Sequence, residues 1–200
     1  MDEAEAKRRL VDDKVDRISN LPESSLCKIL LNLPTKVVVK TSLLSSSWRN
    51  LWKCVPRLDL ASSHHFKENH SIFVTFVDRF LGFNSDFCLE SFKLRYGDEK
   101  RERDFHLLIR WFNTVFKLNV KHVDFTDCSS RRGAFLIPQT IYTCEKLVSL
   151  KLCMVTMPCL KFVSLPLLRS IILALVKFVD NSDLETLISG CVSLELQVSY

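Results

Sequence analysis

One phrase, repeated along the second half of the chain, limits how this protein can fold. It reads apolar, two positions, apolar, one position, apolar: Leu89-x-x-Phe92-x-Leu94, Val120-x-x-Val123-x-Phe125, Leu147-x-x-Leu150-x-Leu152 and Leu168-x-x-Ile171-x-Leu173. A looser fifth copy is Cys191-x-x-Leu194-x-Leu196. The alternation closing each phrase is that of a short strand with one buried face. A unit of this size cannot cover that face alone, so units of the kind stack strand beside strand, as in leucine-rich repeats. The starts lie 31, 27, 21 and 23 residues apart, which puts insertions in the return segments. The expectation is strands near Phe92–Leu94, Val123–Phe125, Leu150–Leu152 and Ile171–Leu173. They should form one parallel sheet on the concave side of a curved solenoid.

Helical spacing appears between these phrases. Phe73, Phe76, Val77, Phe80 and Leu81 form one amphipathic set, ending near Gly82. Phe105, Leu108, Ile109, Phe112 and Phe116 form a second, with Asp104 as a cap. Both stripes read as core rather than ligand site. Ser182-Asp183-Leu184-Glu185 reads as a capping box for a return helix with Leu187 and Ile188 inward and Gly190 after its end.

The stretch from Asp16 to Trp52 is of another kind, and three short helices can be drawn in it. Pro22 suits the start of the first, where its missing N–H does little harm. That helix carries Leu26, Ile29, Leu30 and Leu33, and Pro34 stops it. The second begins near Thr35 and carries Val37, Val38, Val39, Leu43 and Leu44; the third holds Trp48, Leu51, Trp52 and Val55. At ~100° per residue the apolar positions of the first helix span roughly 200°, twice the stripe one core needs. Three helices of this length also make only a small core. The segment therefore has apolar surface left over for a partner.

Asp16-Arg17-Ile18-Ser19, Leu21-Pro22-Glu23, Ile29-Leu30, Leu33-Pro34-Thr35-Lys36, Thr41-Ser42, Leu44-Ser45, Trp48-Arg49-Asn50-Leu51-Trp52, Val55-Pro56 and Leu58-Asp59 follow in order. This series resembles the N-terminal motif of plant F-box proteins with leucine-rich repeats, the FBD-type family. Leu165-Pro166-Leu167-Leu168, Val176-Lys177-Phe178 and Leu187-Ile188-Ser189-Gly190-Cys191 resemble the family's repeat phrases. The family's basic pair before the tryptophan is replaced by Ser46 and Ser47, and Val192 stands where proline is common. The resemblance implies a helical F-box that docks a Skp1-type adaptor and, through it, a cullin. The docking positions it implies are Leu21, Pro22, Ile29, Leu30, Leu44 and Trp48. Trp48 is either an interface anchor or a core residue packed with Trp52 one turn on.

The expected fold class is α+β: a small three-helix F-box followed by an irregular α/β leucine-rich-repeat solenoid. Residues 1–14 read as a mobile tail, 15–60 as the F-box, 61–88 as linker and helix, and 89–200 as repeats. The repeats stop mid-unit at Tyr200, without a polar cap.

Composition narrows the function classes. The net charge of +5 is modest and the charges are mixed, with neither the one-signed stripe nor the motif of a nucleic-acid binder. The first 20 residues hold no apolar signal region and no apolar run reaches membrane length, which points to the cytoplasm, the nucleus or both. The eight cysteines include no CxxC pair and read as buried free thiols; His64, His65 and His70 lie in a polar connector, so no metal or cofactor is expected. Only four glycines are present, and no P-loop, GxGxxG or GxSxG occurs, so no enzyme is expected. Two readings stand. One is the substrate-recognition subunit of a ubiquitin ligase, with the repeats holding a target protein. The other is a shortened or decayed family member that holds the adaptor weakly and recruits nothing.

Overall fold

The computed structural model describes residues 17–61, 70–82, 89–97, 105–129, 135–159, 162–180 and 182–194. It divides into two compact units, residues 1–55 and 56–200. The tail read at 1–14, the connector 64–69, Cys88, the Asp104 cap and Leu196 of the fifth repeat lie outside the described residues.

The first unit holds α1 (Glu23–Leu30), α2 (Thr35–Thr41) and two 3₁₀ helices, Ser46–Trp48 and Leu51–Cys54. Pro22 and Pro34 occupy the N-cap positions of α1 and α2, with φ of −56° and −58°. Their rings fix φ where a helix begins and lose only an N–H that would have no helical partner. The expected third α-helix is absent; two 3₁₀ turns separated by Arg49 and Asn50 stand there instead. The run Ser45–Ser47 and Asn50 favour local turns over a continuous helix. The core of the unit comprises Leu26, Leu30, Val38, Trp48, Leu51 and Val55, with Cys27, Leu33 and Trp52 packed against it.

The second unit is built on a five-stranded parallel sheet in chain order. Its strands are β1 (Arg57–Ala61), β2 (Ser91–Tyr96), β3 (His122–Asp127), β4 (Ser149–Cys153) and β5 (Ser170–Ala174). The four expected strands are present and parallel, in register Phe92↔Val123↔Leu150↔Ile171. β1 was not anticipated. Leu58 pairs with Phe92 and Leu60 with Leu94, so Val55-x-x-Leu58-x-Leu60 is one more copy of the phrase. The sequence pattern assigns these residues only to the end of the N-terminal motif.

One carbonyl before each strand ties the stack together. Pro56 O accepts the N–H groups of Glu90 and Ser91, Glu90 O those of Lys121 and His122, Lys121 O those of Val148 and Ser149, and Val148 O those of Arg169 and Ser170. Each unit thus satisfies the backbone of the next, as buried polar groups require.

α3 (His70–Gly82) and α4 (Phe105–Lys117) are two of the return segments. α3 buries four of the five residues its spacing predicts, Phe73, Val77, Phe80 and Leu81, and Phe76 is half-buried. α4 is rotated from expectation: Ile109 is exposed, and Trp111 and Val115 are buried beside Leu108, Phe112 and Phe116. Asp78 of α3 explains part of this. Its carboxylate accepts hydrogen bonds from Trp111 Nε1 at 2.7 Å and from Arg110 Nη2 at 2.5 Å, which pins that edge of α4 to α3. Phe112 is the hub of the core, with ring centroids 5.0–5.7 Å from Phe92, Phe116, Phe125 and Phe135.

The last return helix, α5 (Asp183–Ser189), has no capping box. Ser182 sits in the helical region with no side-chain cap bond; Asp183 Oδ2 instead accepts the Asp180 N–H, and Asp180 Oδ1 accepts the Ser182 N–H. Leu187 is buried but Ile188 is exposed. Gly190 follows the helix because of a close approach. A Cβ there would lie 2.6 Å from the Cβ and Cγ1 of Val163.

Candidate functional site

The surplus apolar surface expected of the first unit is present. Leu43 is 86% exposed and Leu44 66%, and Ile18, Leu21, Ile29, Leu31 and Val37 are also exposed. Leu43 and Leu44 lie past the C-terminal end of α2, in a turn closed by the Leu43 and Leu44 N–H groups donating to Lys40 O and Thr41 O. On α1, the two faces separate: Leu26 and Leu30 point into the core while Ile29, and Leu31 at the C-cap, point out.

Of the six positions singled out in sequence, Leu21, Pro22, Ile29 and Leu44 are exposed. Leu30 is a correction, and Trp48 takes the second of its two readings, a core residue with Trp52 packed against the same cluster. Leu30 is 0% exposed and Trp48 4%, so both belong to the internal core and offer no surface. Trp48 Nε1 donates to Ser19 Oγ at 3.0 Å, and Ser19 Oγ lies 3.1 Å from Ser45 Oγ. This bond satisfies the buried indole N–H, which burial would otherwise penalise. Leu31, Val37 and Leu43 are exposed positions the sequence reading did not select. A shallow cleft of about 410 Å³ opens beside this region, lined in part by Leu21, Glu23, Ser46, Ser47 and Asn50. The two serines that replace the basic pair are both exposed there.

The second unit offers the sheet face opposite its core. Its central row runs Asp59↔Lys93↔Asp124↔Lys151↔Ile172 across all five strands. The charges alternate and pair, Asp59 with Lys93 at 3.2 Å and Asp124 with Lys151 at 3.7 Å. Half-exposed pairs of this sort add little to stability. They leave a polar surface of balanced charge, with Arg95 exposed in one flanking row and Ile172 51% exposed at the β5 end.

The cysteines do not share one environment. Only Cys144 and Cys191 are buried; Cys27 and Cys153 are half-buried, and Cys54, Cys128 and Cys159 are exposed, so burial accounts for two of the seven described. All seven are free thiols. Burial raises the Cys144 and Cys191 thiols above their ordinary value. Burial, then the adjacent Cys54 thiol, then Glu23 push Cys27 up to about 11. The Tyr142 hydroxyl, which donates to Pro158 O at 3.0 Å, is also raised, by burial and then by Asp183.

Comparison with known proteins gives two family matches. The F-box domain model matches residues 18–60, and a model of the leucine-rich repeats of the FBD-associated F-box protein At5g56370 matches 108–198. The chain is 52% identical over 198 residues to the FBD-associated F-box protein At1g66310 of Arabidopsis thaliana, an alignment covering 96% of this chain and 43% of that protein. It is 50% identical over 198 residues to F-box/LRR-repeat protein 13 of the same plant, covering 98% and 44%. With the F-box/FBD/LRR-repeat protein At1g78750 the identity is 48% over 188 residues, covering 91% and 41%. The chain thus spans less than half the length of these curated relatives. No solved structure matches.

Proposed function

Because this chain belongs to the plant F-box/leucine-rich-repeat family, we propose that it is the substrate-recognition subunit of a Skp1–cullin–F-box ubiquitin ligase. The first unit docks a Skp1-type adaptor, and the repeats hold a target protein. No covalent chemistry occurs on the chain. Its contribution is proximity, since holding the target in the assembly raises the effective concentration of its lysines beside the charged conjugating enzyme. On this reading it acts in the cytoplasm or nucleus.

One observation carries the proposal: Leu43, Leu44, Leu21 and Ile29 are exposed on a unit whose buried core, among the described residues, has six apolar residues. Large apolar side chains left outside so small a core mark a surface that another protein covers. The docking face is assigned to Leu21, Pro22, Ile29 and Leu44, joined by Leu31, Val37 and Leu43.

The test is calorimetric titration of the full chain with a Skp1-type adaptor, comparing wild type with Leu21→Ala/Ile29→Ala/Leu44→Ala. Circular dichroism establishes that the variant is folded. Hot-spot truncations cost ~2 kcal/mol or more, so affinity should fall at least ~30-fold. Equal binding by the folded variant would refute the face. The exposed Ser46 and Ser47 favour the second reading, a member that holds the adaptor weakly. If wild type does not bind and Ser46→Lys/Ser47→Arg does, that reading is correct. If neither binds, the ligase assignment fails.

A further inference from the structure

The first unit contains a cluster of side chains that adaptor docking does not use. Glu23 opens α1, Cys27 follows at i+4, and Cys54 closes the second 3₁₀ helix. The i, i+4 spacing stacks Glu23 and Cys27 on one strip of the helix. Packing of Leu51–Cys54 against α1 then brings the third member to them. One oxygen of Glu23 and the two sulfurs all lie within 4.8 Å of one another. Glu23 and Cys54 are exposed and Cys27 is half-buried, so a solvated ion can reach all three.

We propose that Glu23, Cys27 and Cys54 form a site for one zinc-class divalent cation, with its fourth position open to water. Two sulfurs and one carboxylate oxygen suit a borderline-soft ion; magnesium and calcium prefer shells made of oxygen. Tetrahedral zinc, with Zn–S of ~2.3 Å and Zn–O of ~2.0–2.2 Å, sets its donors roughly 3.5–4 Å apart. The cluster therefore needs to draw in by only about 1 Å, within reach of side-chain rotation. Binding forms two metal–sulfur bonds and one metal–oxygen bond in place of bonds to the ion's coordinated waters, and those waters and the two thiol protons pass to solvent. Nothing is oxidised or reduced.

The bound ion would tie the first turn of α1 to the last turn of the unit. A segment with a core this small is of the kind that metal staples stabilise. The availability of zinc would then set how much of the first unit is folded. The inference is independent of the ligase reading, since it concerns the unit's own stability.

The test uses the purified full chain, stripped of metal with a chelator and kept reduced with a phosphine, which does not compete as a thiol. Titration with cobalt(II) should give thiolate-to-cobalt charge-transfer absorption that saturates at one equivalent and is displaced by zinc. Zinc should also raise the melting temperature of the unit. Cys54→Ser and Glu23→Gln alter exposed side chains and leave the core intact. Each should weaken binding at least ~10-fold, the low end of what losing even an outer-shell partner does. Cys128→Ser/Cys159→Ser should bind as wild type does. Absence of a saturable signal, or unchanged affinity in folded Cys54→Ser and Glu23→Gln, would overturn the proposal.

Discussion

Trp48→Ala should unfold the first unit, whereas Leu43→Ala, five residues earlier, should leave its stability alone. Trp48 is 4% exposed, lies in the six-residue core, and donates its indole N–H to Ser19 at 3.0 Å. Removing a buried tryptophan typically costs ~3–5 kcal/mol. The 39 residues from Arg17 to Val55 should have a total stability of roughly 2–6 kcal/mol, at ~0.05–0.15 kcal/mol per residue. The substitution therefore takes most or all of what the unit has. Trp48→Phe keeps one ring of the indole and loses the donor, and should cost about 1–2 kcal/mol, of which one net hydrogen bond contributes ~0.5–1.5 kcal/mol and the lost ring volume the rest. Leu43 is 86% exposed, so Leu43→Ala should shift stability by less than ~0.5 kcal/mol while weakening adaptor binding. Amide exchange of the α1 residues Leu26–Leu30 reads this unit apart from the other. Adaptor titration is run on the same samples. If Trp48→Ala leaves α1 exchange unchanged and abolishes adaptor binding, Trp48 is a contact residue and the packing argument is wrong.

Three further outcomes are expected. Phe112→Ala should cost ~3–5 kcal/mol in amide exchange of β2 and β3, because it removes a fully buried ring touching four others, while Ile109→Ala on the exposed side of α4 should cost under ~1 kcal/mol. Gly190→Ala should destabilise the second unit by ~1–3 kcal/mol, since the added methyl would lie 2.6 Å from Val163, and Val163→Ala in the same chain should restore part of the loss in chemical denaturation. Cys144 and Cys191 should resist alkylation at pH 8 in the native chain and label on unfolding, whereas exposed Cys159 labels at once. Because their native thiols hold the proton above the ordinary 9.0, the stability they contribute is complete below pH 9 and should fall as pH rises beyond it.

The sheet was legible because a strand is a local object. Two-residue alternation puts Phe92 and Leu94, or Leu150 and Leu152, on one face whatever surrounds them, and recurrence of the phrase implies neighbours in one register. β1 carried the same phrase, Val55-x-x-Leu58-x-Leu60, and could have been found by it. It overlaps the N-terminal motif, whose Val55-Pro56 and Leu58-Asp59 share its residues. The surplus of apolar surface in the first unit was legible for a related reason: counting the apolar arc of a helix needs only its pitch.

What local pattern could not supply was the direction each apolar residue faces when more than one face is apolar. Ile29 and Leu30 are adjacent branched apolar residues in a helix whose apolar arc spans roughly 200°. Only packing against Leu51 and Trp48 puts Leu30 inside and Ile29 outside. Likewise Asp78, more than thirty positions earlier in the chain, captures the Trp111 and Arg110 side chains and so helps to turn Ile109 outward on α4. Glu23, Cys27 and Cys54 make the same point for chemistry. No spacing rule joins a cysteine in the first helix to one in the last turn, and the three donors became a cluster only when the chain folded back on α1. Periodicity is a property of the backbone and is written residue by residue; adjacency across the chain belongs to the packed core, where the shape of each side chain decides which neighbour it meets.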